Sequence, residues 1–325
     1  MKRITSLLII TLAIVVLLCA CVKDDKNTVS GDYRTYYEVF VRSFYDSDAD
    51  GIGDLKGVLQ KLDYLNDGKP GSKDSLHIGG IWLMPIMPSP TYHKYDVTDY
   101  YAIDPEYGTM QDFEALMAKC KERDVSLIID LVLNHTSSEH EWFKSASVSI
   151  GIPPCGQTVC TNEKLCREHN PYCKYYNFSA EPQDGYAKVP LYSDWYYECR
   201  FWTGMPDLNL DEPLVREEII KIMKFWLDKG VSGFRLDAVT SFFTGNNEKN
   251  AEFLKWLKTE AEKLDKDCYF GCEAWSTPNV IKELYSSGIN SMAFDIANLT
   301  KRLQRYVNRS NDWSDDRYIN IGSVK

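Results

Sequence analysis

The chain has 325 residues, 44% of them hydrophobic, which is enough for one large domain or two ordinary ones. Its formal net charge of −10 argues against a nucleic-acid partner, because phosphate binding needs a basic surface. Aromatic content is 13%, with 8 Trp and 21 Tyr, a surplus that suits core packing and sugar-ring stacking alike.

In chain order, the first segment reads as a targeting sequence. Lys2 and Arg3 precede an apolar run over residues 7–18 that is too short for a membrane-spanning helix. The run ends "LLCAC", which resembles a bacterial lipobox. Residues 1–20 are then a signal peptide, Cys21 is the lipidated first residue of the mature protein, and residues 21–33 are a polar tether. The expectation is an exported monomer, held at the cell envelope by its lipid alone.

The next feature is "YDSDADGIGDLKG" at 45–57, where Asp46, Asp48 and Asp50 alternate, Gly51 follows and Asp54 closes the run. That is the opening of a calcium loop. As an EF-hand it fails. Position 12 is Gly57, where a bidentate Glu is needed, and a strand rather than a helix is expected before it. The bland reading is a solvated acidic turn.

Apolar runs at 36–41, 80–84, 126–131, 233–237, 269–273 and 292–295 read as strands. Helical patterns separate them. In "LVREEIIKIMKFWLDKG", Val215, Ile219, Ile222, Met223 and Trp226 share one face, with Pro213 near the start and Gly230 at the stop. In "NAEFLKWLKTEAEKL", Phe253, Leu254, Leu257, Ala261 and Leu264 do the same. Such alternation implies a parallel sheet with helices outside it. Residues 134–209 interrupt the pattern for too long to be a bare loop, and read as an inserted subdomain between barrel parts at 34–133 and 210–325.

The insertion carries Cys155, Cys160, Cys166 and Cys173. Export permits disulfides, so this stretch reads as a stapled loop with three pairings open and Cys199 a candidate to join. The absence of a C-x-x-C pair argues against zinc. Cys120, Cys268 and Cys272 sit in helix- or strand-like contexts and read as buried free thiols.

Four strand ends carry polar residues that packing does not explain. "DLVLNH" gives Asp130, Asn134 and His135; "GFRLDAV" gives Arg235 and Asp237; "GCEAW" gives Glu273; "AFD" gives Asp295. Arg235 and Asp237 are two apart, so they point the same way, and the arginine is expected to keep the carboxylate ionised. Two carboxyls at the C-terminal ends of adjacent barrel strands suit a glycosidase pair, one attacking the anomeric carbon and the other moving the proton. The alternative is a buried ion-pair network.

The strand ends "DLVLNH", "GFRLDAV" and "GCEAW", with "GIWLMPI" (80–86), "YHKYDVTDYYAIDPEYGT" (92–109) and "MPDLN" (205–209), resemble in order and spacing the conserved regions of the α-amylase family, glycoside hydrolase family 13. The resemblance runs from about Tyr36 to Asp295. It implies an α/β fold of the TIM-type (β/α)8 barrel, incomplete here with about six βα units, and a subdomain inserted after the third strand. It implies that Asp237 is the nucleophile and Glu273 the general acid/base. Arg235, His135, His93 and Tyr95 are then substrate-binding residues, and Asp130 and Asn134 structural supports. Tyr92 and Tyr101 read as ordinary packing. The acidic loop, in relatives of the oligo-1,6-glucosidase kind, holds a structural Ca2+. Asp46, Asp48, Asp50, Asp54 and the Ile52 carbonyl are its expected ligands here.

The implied substrate is an α-1,4-linked glucan: starch, glycogen or maltodextrin. "MPDLN" resembles the group intermediate between oligo-1,6-glucosidases and neopullulanases, and His93 tilts the expectation towards endo action. Thr240 and Ser241 stand where many family amylases have Lys-His, which puts a reducing-end subsite lysine in doubt. The family's third acid lies in an F-x-x-x-H-D motif that residues 274–325 do not contain. The expectation is therefore a C-terminally truncated chain with impaired turnover. A non-catalytic glucan-binding relative and a transglycosylase or oligo-1,6-glucosidase are the alternatives.

Overall fold

The computed structural model describes residues 35–190 and 194–293, with side chains up to residue 290. The expected signal peptide, tether and lipidated Cys21, and Asp295, lie outside the described residues.

Six strands form one parallel sheet: β1 (Tyr36–Val39), β2 (Gly80–Leu83), β3 (Ser126–Leu131), β7 (Gly233–Leu236), β8 (Tyr269–Glu273) and β9 (Ser291–Ala293), in that spatial order. Each parallel step needs a crossover, and helices supply them. After β1 come α1 (Val41–Phe44), α2 (Leu55–Gln60) and α3 (Leu62–Leu65), and after β2 comes α4 (Met110–Glu122). An insertion and α6 (Pro213–Asp228) follow β3, α7 (Asn247–Leu264) follows β7, and α8 (Pro278–Leu284) follows β8. This is the arrangement of an incomplete TIM-type barrel.

The sheet curls on itself. Tyr36 of β1 and Tyr269 of β8 stack with ring centroids 5.3 Å apart, although β1 and β8 are not neighbours in the sheet. Gly80 of β2 makes room for this layer, because a Cβ there would overlap the Tyr36 ring.

The helices form where the periodicity placed them. Val215, Ile219, Ile222, Met223 and Trp226 are the buried residues of α6, which has Pro213 in its first turn and ends before left-handed Gly230. Trp226 adds a polar tie, its indole N–H donating to the Tyr100 carbonyl at 2.9 Å. In α7, four of the five predicted face residues are buried and Leu264, at the frayed end, is partly so.

The first strand is shorter than its apolar run. It stops at Val39, and residues 41–44 turn into the short helix α1, because the chain must reverse to bring Gly53 N–H onto the Arg42 carbonyl at 2.7 Å. A helical turn, not a strand, thus leads into the acidic loop. The last strand begins one residue early, at Ser291.

The insertion contains α5 (Glu141–Ile150), two 3-10 turns and a small antiparallel sheet, β4 (Phe178–Ser179), β6 (Tyr196–Glu198) and β5 (Tyr186–Lys188) in that order. Its return to the barrel is pinned by bridges between His135 and Asp207 and between Tyr176 and Leu208. Its cysteines are not paired: Cys155, Cys160, Cys166, Cys173 and Cys199 are all free, which overturns the expected stapling. Cys120, Cys268 and Cys272 are free and buried. No helix among the described residues is long and apolar enough to cross a membrane.

Candidate active site

The parallel register decides which side chains meet. Asp130 of β3 lies opposite Arg235 of β7, which lies opposite Gly271 of β8. Two residues on, Asp237 and Glu273 return to the same face. Arg235, 6% exposed, is the hub. Its Nη1 donates to Asp130 Oδ1 at 2.8 Å and Asp237 Oδ1 at 2.9 Å, and its Nη2 to Glu273 Oε2 at 2.6 Å. The guanidinium carbon sits 4.9 Å from the Trp82 ring centroid and 5.8 Å from that of Tyr95.

Asp130 is fully buried, and its second oxygen accepts from the Trp82 indole at 3.0 Å and the Tyr95 hydroxyl at 3.2 Å. Burial pushes its carboxyl up to about 6 against the pull of Arg235. Asp237 goes the same way. Burial first, then its hydrogen bond with Glu273 and the charge of Asp130, raise it well above the ordinary carboxylate range. Arg235 pulls the other way, towards the ionised form, as its place beside Asp237 led one to expect. Glu273 is held below its usual range. Burial raises it, but hydrogen bonds from Asp237 and the Trp275 indole, the charge of Arg235 and the Ala238 N–H outweigh burial. The two carboxyls accept from different nitrogens of one guanidinium, which holds them side by side at the strand ends.

The strand end behind Asp237 bends sharply, with Ala238 in the left-handed region at φ 48°. That turn lets Val239 N–H reach the Glu273 carbonyl at 3.1 Å.

Three binding residues line up beside the pair. Tyr95 touches both Asp130 and Arg235, the latter at 3.3 Å. His93 Nδ1 accepts the Tyr95 N–H at 3.1 Å, so its Nε2 carries the proton and is free to donate. Between them, Lys94 is buried, adopts a left-handed φ of 64° and is clamped by Asp104 at 2.8 Å and Glu106 at 2.6 Å, which fixes the loop. His135 is 2% exposed. Its Nδ1 lies 3.4 Å from Asn134 Nδ2, its Nε2 has no partner, and burial pushes its imidazole down to about 4, so it is neutral. Asn134 also donates to Asp207 Oδ1 at 3.2 Å, which joins "DLVLNH" to "MPDLN".

Sequence reasoning missed two indoles. Trp82 lies within "GIWLMPI" and Trp275 within "GCEAW", yet their bonds to Asp130 and Glu273 follow only from the register. It also misread Tyr92, which is 65% exposed rather than packed; its ring meets His93 at 5.3 Å. Tyr101 does pack, against Phe225 at 5.2 Å, with its hydroxyl on Glu218 at 2.6 Å. Exposed Phe201 meets His135 at 5.3 Å. A surface cleft of about 610 Å³ beside this rim, lined by Arg42, Tyr92, Lys94 and Glu106 among others, includes none of Arg235, Asp237 or Glu273.

The acidic loop lies apart from this cluster. Carboxylate oxygens of Asp46, Asp48 and Asp50 come within 4.8 Å of one another. Asp46 is set by its own backbone, accepting from Ala49 N at 2.7 Å, Gly51 N at 2.8 Å and Asp48 N at 3.1 Å. Gly51 makes the turn at φ 93°. Asp54 is not in that group. It is 8% exposed and caps α2, accepting from Gly57 N at 2.7 Å and Ser47 N at 2.9 Å. The three converging carboxylates are hard oxygen donors of the kind Ca2+ takes.

Comparison with known proteins agrees with this geometry. Residues 38–315 match the family described as "Alpha amylase, catalytic domain". Alpha-amylase 3 of Dictyoglomus thermophilum is 42% identical over 266 residues, 81% of this chain and 47% of that protein. An alpha-glucosidase of Schizosaccharomyces pombe is 43% identical over 209 residues, 62% of this chain and 34% of that protein. Among solved structures, Eubacterium rectale Amy13B superposes with a TM-score of 0.71 at 47% identity, over 80% of this chain and 48% of that one. The chain thus spans about half the length, or less, of the relatives it matches.

Proposed function

This chain belongs to the α-amylase catalytic-domain family, and on that premise we propose that the protein is a retaining glycoside hydrolase of α-1,4-glucans, acting within the chain rather than from its end. One observation carries the reading: a single buried guanidinium, Arg235, holds Asp130, Asp237 and Glu273 together at the strand ends. A structural ion-pair network would not need exposed aromatics around it. Here Tyr92, Phe201 and Trp275 each touch one residue of the site and offer a ring face to a sugar.

Asp237 must attack as carboxylate while Glu273, in its protonated form, gives its proton to the leaving oxygen. Asp237 then bonds to the anomeric carbon as the glycosidic bond breaks. In the second half, Glu273 takes a proton from water, the water oxygen attacks the same carbon, and Asp237 leaves. His93 Nε2–H and the unpartnered His135 Nε2 supply contacts for sugar hydroxyls, and Asp130 positions Arg235.

A 5-fluoro-α-glucosyl fluoride tests this, since its fluoride leaves without acid help. The peptide carrying Asp237 should gain one glycosyl mass. Asp237→Asn should lose the label yet still bind maltoheptaose. Label on Glu273 instead, or none on a chain that binds maltoheptaose, would overturn the assignment. Some relatives are named glucosidases, and the transfer reading predicts products longer than maltoheptaose.

Two further parts of the reading rest on other residues. Asp46, Asp48 and Asp50, with the Ile52 carbonyl, hold a structural Ca2+ that cross-links the loop between α1 and α2. Cys21 carries a lipid that anchors an exported monomer to the envelope; Cys21→Ser should move the protein from the membrane fraction to the soluble one.

A further inference from the structure

The insertion holds a second set of metal-type side chains, unrelated to the acidic loop. Cys155 Sγ, Cys160 Sγ, Cys166 Sγ and a nitrogen of His169 all lie within 4.8 Å of one another. His169 Nδ1 is 3.3 Å from Cys166 Sγ and 3.5 Å from Cys155 Sγ. In a tetrahedral zinc centre with Zn–S of about 2.3 Å and Zn–N of about 2.0–2.1 Å, the sulfur–nitrogen edge is about 3.5 Å. The observed separations match that edge. Cys173, the fourth cysteine of the stretch, turns away, and its thiol points to the Ala146 carbonyl at 3.8 Å.

The surrounding chain is held by polar ties, among them Ser149 Oγ–H on the Lys164 carbonyl at 2.7 Å and Gly156 N–H on Glu168 Oε2 at 3.0 Å, with almost no apolar burial. Residues 151–159 and 161–165 are all exposed, and the first buried side chain after α5 is Cys166 itself. Fifteen or so residues without apolar burial cannot offset their ordering entropy, so such a segment needs a covalent or metal staple. A disulfide would consume two of the three thiols and strand the third; all three are free. The backbone supplies a tight pair in place of the missing C-x-x-C. Cys166 and His169 are separated by two residues, with His169 N–H on the Cys166 carbonyl at 3.1 Å and Asn170 N–H on it at 2.8 Å. Asn170 carries the tie onward to Ser149 of α5 at 2.8 Å.

We infer that Cys155, Cys160, Cys166 and His169 form a structural zinc site that fastens the 151–170 loop to the end of α5. Three thiolates and one imidazole close the coordination sphere, so the site is structural and leaves no position for substrate. Thiolate softness selects zinc over the calcium expected at the acidic loop.

Binding replaces three S–H bonds with three S–Zn bonds, so up to three protons leave as the metal enters. The purified chain, dialysed against metal-free buffer, should retain about one zinc per chain by elemental analysis. Cobalt exchange should give the thiolate-to-cobalt charge-transfer absorption and intense tetrahedral ligand-field bands. Cys160→Ser and His169→Gln should each lower zinc content at least several-fold, while Cys173→Ser should leave it unchanged. Intact-chain mass spectrometry with and without reductant reads the competing chemistry independently of folding in any variant. A non-reducible chain with alkylatable thiols only after zinc removal supports the site. A disulfide linking any two of Cys155, Cys160 and Cys166, or a native chain that takes up no zinc or cobalt, overturns it.

Discussion

The cluster round Arg235 and the loop at Asp46–Asp54 are both groups of carboxylates, and the fold treats them in opposite ways. At the strand ends, register and burial force Asp130, Asp237 and Glu273 onto one cation, and burial raises two of the three carboxyls. In the loop, Asp46 stays at the surface, and the amides of Gly51, Ala49 and Asp48 keep it below its usual range. The lesson is that burial, not the number of acids, sets the opposite directions in which Asp237 and Asp46 shift.

The largest way to break the comparison is Arg235→Ala. It leaves Asp130 buried and unpaired, and should cost about 3–5 kcal/mol of stability in urea unfolding and abolish glycosyl labelling. Adding Asp130→Asn should recover part of the stability and none of the labelling. Full recovery of both would mean that the hub is only structural.

A pH series sharpens it next. His135 and His140 are buried and pushed down to about 4, so between pH 6.5 and 4 the unfolded chain binds protons that the folded one refuses. Stability from these groups falls as pH falls. Asp130, raised to about 6, and Asp207, raised by burial to about 7, act with the opposite sign, since the folded chain binds their protons first. The two trends oppose in the same window, and Asp237, raised well above its usual range, adds to the second. His140→Phe removes one destabilising site and should make the chain relatively more stable at pH 5 than at pH 7.5, by about 2 kcal/mol. Equal effects at both pH values would contradict this.

Smaller effects belong to the surface. Saturating Ca2+ should raise the melting temperature by roughly 5 °C, and Asp46→Ala should remove that rise without touching maltoheptaose binding. Tyr92→Ala, at an exposed ring, should weaken maltoheptaose binding about 5- to 10-fold and leave the melt unchanged.

Much of the barrel was legible because periodicity reports burial directly. The five apolar positions of α6 are its five buried ones, and the bounds of β3 and β8 match their runs. The acidic strand ends were legible because packing has no use for them. What failed depended on atoms distant in sequence. The apolar run at 36–41 could not show that residue 41 begins a helical turn. The capping role of Asp54 depends on where α2 starts. The partnership of three cysteines with His169 was hidden because a search for paired cysteines passes over a histidine three residues on. The indoles on Asp130 and Glu273 needed the register before they could be seen.

The bridge between His135 and Asp207 has a mechanical consequence. His135 stands at the end of a barrel strand, and Asp207 at the end of the insertion's return path. Because they share one ladder step, the end of β3 and the insertion's return path are tied through the backbone as well as through the side-chain bond from Asn134 to Asp207.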